Sequence, residues 1–132
     1  MADRTQAARN ALGRLERLSS MSFEEFKGDP DNYAIAEHHL RRALEAVLDI
    51  GRHVVVKSGW GNPTKYREIF DFLERGGVLS ATLAQSGRAL AGYRNRLVHE
   101  YAAVTQDEMW EVLQTKLPDI RELLAALVRY VS

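Results

Sequence analysis

The segment from Tyr93 to Tyr101 holds a basic side chain where a helix would place an apolar one. Arg94 interrupts an apolar stripe with steps of three and four residues, whose other members are Leu83, Gly87, Leu90, Leu97 and Tyr101. A guanidinium turned toward a core is costly unless it is paired. We therefore expect Arg94 to meet a carboxylate, to line a cleft that binds an anion, or to reach solvent at the bundle edge.

His99 is the second group in this segment with useful chemistry, because histidine moves protons near neutral pH. On an undistorted helix Tyr101 lies about 20° from Arg94, whereas His99 lies about 140° away. Arg94 and His99 would therefore converge only if the helix end is distorted or if a symmetric partner supplies the second group.

Asp49 and His53 lie four residues apart on the long second helix, so their side chains share a face. Asp49 could orient the His53 imidazole or pair with Arg94, and the alternative is an ordinary solvated face. The chain has no cysteine and no pair of histidines at chelating spacing. We therefore predict no metal site and no cofactor.

Helices with short breaks must position these groups, because no stretch alternates with the period of a strand. Capping residues and breakers predict helices over about 3–19, from Asp29 to about Lys57, from Thr64 to Gly76, from Ser80 to Tyr101, and from Thr105 onward. We predict one all-α domain over residues 1–132, an up-and-down bundle of four to five helices. The last helix is expected to kink at Pro118, which lacks a backbone donor.

The composition is that of a globular domain, with 132 residues, of which 45% are hydrophobic and 27% charged. Basic and acidic residues number 18 each, so the net charge is zero and any polyanion must be bound by a local patch. The N-terminus lacks the apolar region of a signal peptide, and no apolar run has the ~18 residues of a membrane span. We expect a cytoplasmic protein that does not bind membranes.

The run Arg94-x4-His99-x-Tyr101 resembles the signature of the HEPN (higher eukaryotes and prokaryotes nucleotide-binding) superfamily, in its HepT-like toxin branch. The resemblance covers nearly the whole chain. The other segments that resemble this branch are Glu45-x3-Asp49-x3-His53, the 66–70 helix, the Gly76–Leu79 turn and Leu117-Pro118.

This resemblance implies a metal-independent endoribonuclease, the toxin of a type VII-like toxin–antitoxin system, that acts as a homodimer with both motifs facing one cleft. Arg94 would bind the scissile phosphate of the RNA substrate, and His99 would transfer protons. Asn95 would orient His99 or donate to a phosphate oxygen, with Asp49 and His53 in support.

By the same resemblance, Tyr101 accepts AMP from the cognate antitoxin, a minimal nucleotidyltransferase, and the added phosphate blocks the cleft. Read from the sequence alone, Tyr101 is equally well an aromatic side chain at the bundle edge. An alternative function is also open, that of a non-catalytic partner subunit that binds nucleotide or accepts AMP for a nucleotidyltransferase.

Positive charge gathers in and just before the motif, since from Gln85 to His99 the charged residues are Arg88, Arg94 and Arg96, with no acid until Glu100. We predict that Arg88 and Arg96 guide the RNA backbone without taking part in cleavage.

Overall fold

Seven helices make up the part of the chain that the structure, a computed structural model, describes: residues 2–99 and 103–131. They are α1 (Ala2–Ser19), α2 (Phe23–Gly28), α3 (Pro30–Lys57), α4 (Tyr66–Arg75), α5 (Ala81–Leu97), α6 (Gln106–Thr115) and α7 (Leu117–Val131). These ranges contain no strand, so the all-α prediction is confirmed, but four to five helices were too few. None of these helices is long and apolar enough to cross a membrane.

The longest helix, α3, is the element around which the others pack. Its most extensive packing is against α1, and it also contacts each of the five remaining helices. Its buried positions recur every three or four residues, as in Ala36, Leu40, Leu44, Val47 and Val54. One continuous apolar core therefore joins all seven helices, and α3 holds the elements that carry the candidate site.

Side-chain caps set most helix starts where the sequence predicts them. Ser22 and Thr105 each form a complete capping box, with Glu25 and Glu108 as the reciprocal partners. The Asp29 carboxylate accepts the Asp31 N–H, and Pro30 occupies the first turn of α3. The helix expected from Thr64 begins two residues later, at Tyr66.

The predicted kink at Pro118 is wrong, because the chain forms two helices there instead of one bent helix. α6 ends at Thr115, Lys116 is its C-cap, and α7 begins at Leu117. Pro118 lies in the first turn of α7, where a helix needs no backbone donor. The break makes Leu117–Val131 a separate helix of 15 residues that packs on α1, α3 and α5.

Glycine lets α5 approach α4 closely. A Cβ placed on Gly87 would lie 2.3 Å from Cε1 of Phe70, a side chain that is 2% exposed. An equivalent Cβ on Gly51 of α3 would lie 2.9 Å from Ile69. The two glycines thus allow α4 to sit tightly against both α3 and α5, so that the three helices meet around the Arg94 side chain.

α5 ends at Leu97 and does not continue to Tyr101, which corrects the predicted boundary. Beyond Val98 the chain turns, and the His99 N–H donates to the Arg96 carbonyl at 3.3 Å. Tertiary contacts hold the chain after the turn: the Arg96 guanidinium donates to the Ala103 carbonyl, and the Tyr33 hydroxyl donates to the Val104 carbonyl. Because of these hydrogen bonds, His99 lies outside α5, although the sequence periodicity predicts a helix that includes it.

Candidate active site at the end of α5

The Arg94 side chain lies between α3 and α4, and it is 21% exposed. Its Nη2 is 3.5 Å from Oε1 of Glu45 on α3. Its Cζ lies 4.7 Å from the centroid of the Tyr66 ring, close enough for a cation–π interaction. Of the alternatives open from the sequence, Arg94 therefore meets a carboxylate, and it does so on an aromatic face.

The Arg94 guanidinium is nevertheless incompletely paired. Among the described residues its buried Nε has no hydrogen-bond acceptor, and the Glu45 contact is long for a charged pair. A guanidinium carries five N–H donors in a planar fork that matches the oxygens of a carboxylate or phosphate. Arg94 thus has donor capacity for a further anionic oxygen.

His99 is exposed and lies in a groove beyond the end of α5. The groove has a volume of about 530 Å³. We call it the His99 groove; besides His99 it is lined by Glu37, Arg41, Arg96, Val98, Ala103 and Val104. Since His99 lies outside the helix, the divergence of about 140° calculated for an undistorted helix does not describe this structure.

Arg96 forms a clamp between α5 and α6. Its Nη1 and Nη2 contact the two Glu108 carboxylate oxygens at 2.7 and 2.8 Å. Hydrogen bonds from Arg96, and then from the Thr105 backbone, lower the pKa of Glu108 to about 2. This ion pair holds the end of α5 against α6 and so restrains the position of His99.

Arg88 links α5 to α4 in a similar way. Its Nε lies 2.7 Å from Oδ1 of Asp71 and its Nη2 lies 2.6 Å from Oε1 of Glu74. Hydrogen bonds to these two carboxylates raise the Arg88 pKa. Arg88 and Arg96 therefore have structural partners, and their contact with RNA stays a prediction.

The two acid–base candidates on α3, Asp49 and His53, have different neighbours. Asp49 forms an ion pair with Arg4 of α1 at 3.0 Å, on a face where both side chains are largely exposed. His53 lines a second groove, beside Lys57 and Tyr130. Arg94 has Glu45 as its partner on α3, one helical turn before Asp49.

Asn95 is exposed on α5, and Tyr101 lies outside the described residues. Within residues 2–99 and 103–131, no three His, Asp or Glu side chains lie close enough to form a metal site.

Sequence comparison identifies the family to which this chain belongs. The profile described as Ribonuclease HepT-like matches residues 8–127, which is nearly the whole chain. The chain belongs to this family. It is thus a member of a family of ribonucleases, and Arg94 and His99 lie within the matched region.

Two relatives and one solved structure are similar to this HepT-like chain. The mRNA nuclease HepT of Shewanella oneidensis is 28% identical over 86 residues, which cover 65% of each chain. The tRNA nuclease HepT of Aphanizomenon flos-aquae is 26% identical over 106 residues, 80% of this chain and 72% of that one. The solved structure is a tri-AMPylated Shewanella oneidensis HEPN toxin in complex with the MNT antitoxin, with a TM-score of 0.88, 22% identity, and coverage of 97% and 96% of the two chains. This last likeness shows the fold.

Three residues surround Arg94 in this HepT-like chain that the apolar stripe of α5 does not predict: Glu45, Tyr66 and Arg41. Arg41 Nε donates to Glu45 Oε1 at 3.1 Å, the same oxygen that Arg94 approaches. The spacing of Arg41 and Glu45 is a sequence signal for a helical ion pair. Tyr66 gives no such signal, because only the packing of α4 on α5 brings its ring under Arg94.

Proposed function

We propose that this chain is the toxin of a toxin–antitoxin pair and that it cleaves RNA internally, with Arg94 and His99 as the catalytic residues. The observation that carries the proposal is Arg94, a half-buried guanidinium with unfilled donor capacity in a HepT-like ribonuclease chain. The names of the two nuclease relatives and of the structural neighbour support both the RNA substrate and the toxin role.

The chemistry that suits these groups is transesterification within the RNA strand. The ribose 2′-oxygen attacks the adjacent phosphorus while a base removes the 2′-hydroxyl proton, and the bond from phosphorus to the 5′-oxygen breaks as an acid protonates that oxygen. The products are a 2′,3′-cyclic phosphate and a 5′-hydroxyl. Arg94 would stabilise the negative charge on the phosphoryl oxygens, and only RNA supplies the nucleophile.

Two proton transfers call for two groups, and each protomer offers one motif histidine. A homodimer with both motifs at one cleft would supply His99 and also His99 of the partner subunit, one as base and the other as acid. The position of His99 in an open groove at the end of α5 is compatible with such a shared cleft. In this arrangement Asn95, exposed on α5, would donate to a phosphate oxygen or orient His99.

The activity is tested by incubating the protein with RNA in EDTA and analysing the fragment ends. We expect 3′ ends with cyclic phosphate from the wild type and intact RNA from Arg94→Ala and His99→Ala. Arg17→Ala on α1, an exposed arginine away from the motif, serves as the control and should cleave normally. Intact RNA at high wild-type concentration would contradict the proposal and favour the non-catalytic, AMP-accepting role.

The shared cleft is tested by mixing the two inactive variants. A dimer with one Arg94→Ala and one His99→Ala protomer keeps one arginine and one histidine. With water in place of the missing second histidine, it should regain a small part of the activity that both parents lack. Native mass spectrometry verifies that the mixed dimer has formed. A mixed dimer that forms and remains fully inactive would show that one arginine and one histidine from different protomers do not make a working site.

We also propose that Tyr101 accepts AMP from a nucleotidyltransferase partner and that this silences the nuclease. The spacing Arg94-x4-His99-x-Tyr101 and the tri-AMPylated state named for the structural neighbour support this assignment. A phosphodiester tethered beside the motif would compete with the RNA phosphate at an effective concentration of about a millimolar or more.

The acceptor is identified by intact-mass spectrometry after incubation with the partner and ATP. The wild type should gain AMP, and Tyr101→Phe should gain none while it keeps at least part of its RNase activity. Tyr93→Phe, the neighbouring tyrosine on α5, is the matched control and should be modified normally. AMP addition to Tyr101→Phe would show that the acceptor is another residue.

A further inference from the structure

Two arginines from different helices converge on one carboxylate oxygen at the candidate site. Arg41 Nε lies 3.1 Å from Oε1 of Glu45, and Arg94 Nη2 lies 3.5 Å from the same atom. Glu45 thus balances only one of two positive charges. The cluster, which we call the Arg41–Glu45–Arg94 triad, has an excess charge of one.

The triad differs from the other arginine–carboxylate pairs of α5. Arg88 meets two carboxylates at 2.7 and 2.6 Å, and Arg96 meets both oxygens of Glu108 at 2.7 and 2.8 Å. These distances are those of strong charged hydrogen bonds, and each guanidinium holds two helices together. The contact at Arg94 is 3.5 Å, and its buried Nε finds no acceptor among the described residues. Arg94 is therefore held in place while much of its donor capacity stays unused.

Arg41 connects the triad to His99. Its side chain is about half exposed, and it lines the His99 groove while its Nε contacts Glu45. An RNA backbone that places one phosphate at Arg94 and extends along the His99 groove would pass Arg41. Successive phosphates of an RNA strand have the charge and the oxygen geometry that a guanidinium binds.

We propose that Arg41 is a second phosphate contact for the RNA strand and that Glu45 is a resident counterion, which the substrate phosphate displaces from the two arginines. The proposal rests on the ribonuclease function proposed above. Without substrate, Glu45 offsets the repulsion between the two guanidiniums and keeps Arg94 oriented. When substrate binds, its phosphoryl oxygens accept hydrogen bonds from the guanidinium N–H groups of Arg41 and Arg94, both those that contact Glu45 and those that Glu45 leaves unpaired.

The first test measures binding of a 2′-O-methyl RNA, which lacks the attacking hydroxyl and stays intact. Arg41→Gln should weaken binding about five- to tenfold and reduce the slope of log affinity against log salt by about 0.7, the value for one phosphate contact on a single strand. Arg42→Gln removes the same charge one residue away, outside the groove, and should change the affinity less than twofold. Equal effects of the two variants would overturn the inference.

The second test uses Glu45→Gln, because RNA affinity should change in opposite directions if Glu45 is a displaceable counterion and if RNA binding requires it. If Glu45 is a displaceable counterion, its neutral isostere should bind the RNA several-fold more tightly than the wild type. Glu37→Gln adds the same charge change in the same groove and should give a smaller increase. Weaker binding by Glu45→Gln, or an equal gain in Glu37→Gln, would show that Glu45 is not a counterion to the substrate.

Failure of the underlying function gives a different pattern. If wild-type protein does not bind the methylated RNA, or if Arg94→Ala still cleaves ordinary RNA, the proposed ribonuclease site is wrong. If wild type binds and Arg94→Ala is inactive, but Arg41→Gln behaves like Arg42→Gln, only the role of Arg41 is refuted. Circular dichroism of each variant verifies that the helices are intact.

Discussion

Replacing Gly87 with alanine should push α5 away from α4. The added Cβ would lie 2.3 and 2.4 Å from two atoms of the Phe70 ring, whereas carbon atoms in contact are about 3.5–4.0 Å apart. The ring is buried and has little room to withdraw, so the helices must separate by about 1 Å or the ring must leave its rotamer. Overpacking of this kind costs about 1–3 kcal/mol.

Alanine also favours the helix over glycine by about 1 kcal/mol, which offsets part of the cost. We therefore expect Gly87→Ala to lower the free energy of unfolding by up to about 2 kcal/mol. Gly92→Ala is the matched control in the same helix, since nothing lies within 4 Å of its Cβ. It should raise the free energy of unfolding by about 0.5–1 kcal/mol, and Gly13→Ala on α1 gives the same control away from the motif.

Urea unfolding followed by circular dichroism, at one fixed protein concentration, measures these changes as shifts in midpoint at constant slope. Gly87→Ala should also reduce the proposed RNA cleavage, because the contact of Arg94 with the Tyr66 ring depends on the spacing between α5 and α4. If Gly87→Ala is as stable as Gly92→Ala, the close approach of the two helices does not limit the fold, and the reasoning is refuted.

Three further predictions concern the contacts that hold the site. Because the pKa of Glu108 is low, its ion pair with Arg96 stabilises the fold above about pH 4.5, and this contribution is lost as the pH falls toward about 2. Glu108→Gln lacks this contribution and should therefore lose less stability than the wild type over that pH range, as measured by acid titration followed by circular dichroism. Arg88→Gln should lower the urea midpoint by the equivalent of about 1 kcal/mol, because it removes hydrogen bonds to two carboxylates between α4 and α5, and an unchanged midpoint would contradict this. Tyr33→Phe removes the hydroxyl that donates to the Val104 carbonyl, so hydrogen exchange should speed up in residues 103–105 while the protection of α1 stays unchanged.

The helix starts and the apolar faces were predictable from the sequence, because local interactions determine both. Ser22, Asp29 and Thr105 cap helices through groups two or three residues away, and the stripe on α3 repeats at the helical period. The same periodicity singled out Arg94 as a charge directed inward, and the structure places it half buried against Glu45.

The end of α5 and the partners of its arginines were decided by tertiary structure. Periodicity extends the helix through His99, whereas contacts of Arg96 and Tyr33 with residues 103–108 draw the chain aside after Leu97. The i,i+4 rule identifies Arg41 as a partner of Glu45, but it says nothing about a guanidinium on another helix. Only the close packing of α3, α4 and α5, with Gly87 at one contact, brings Arg94 to Glu45 and the Tyr66 ring, because that contact depends on residues far apart in the chain.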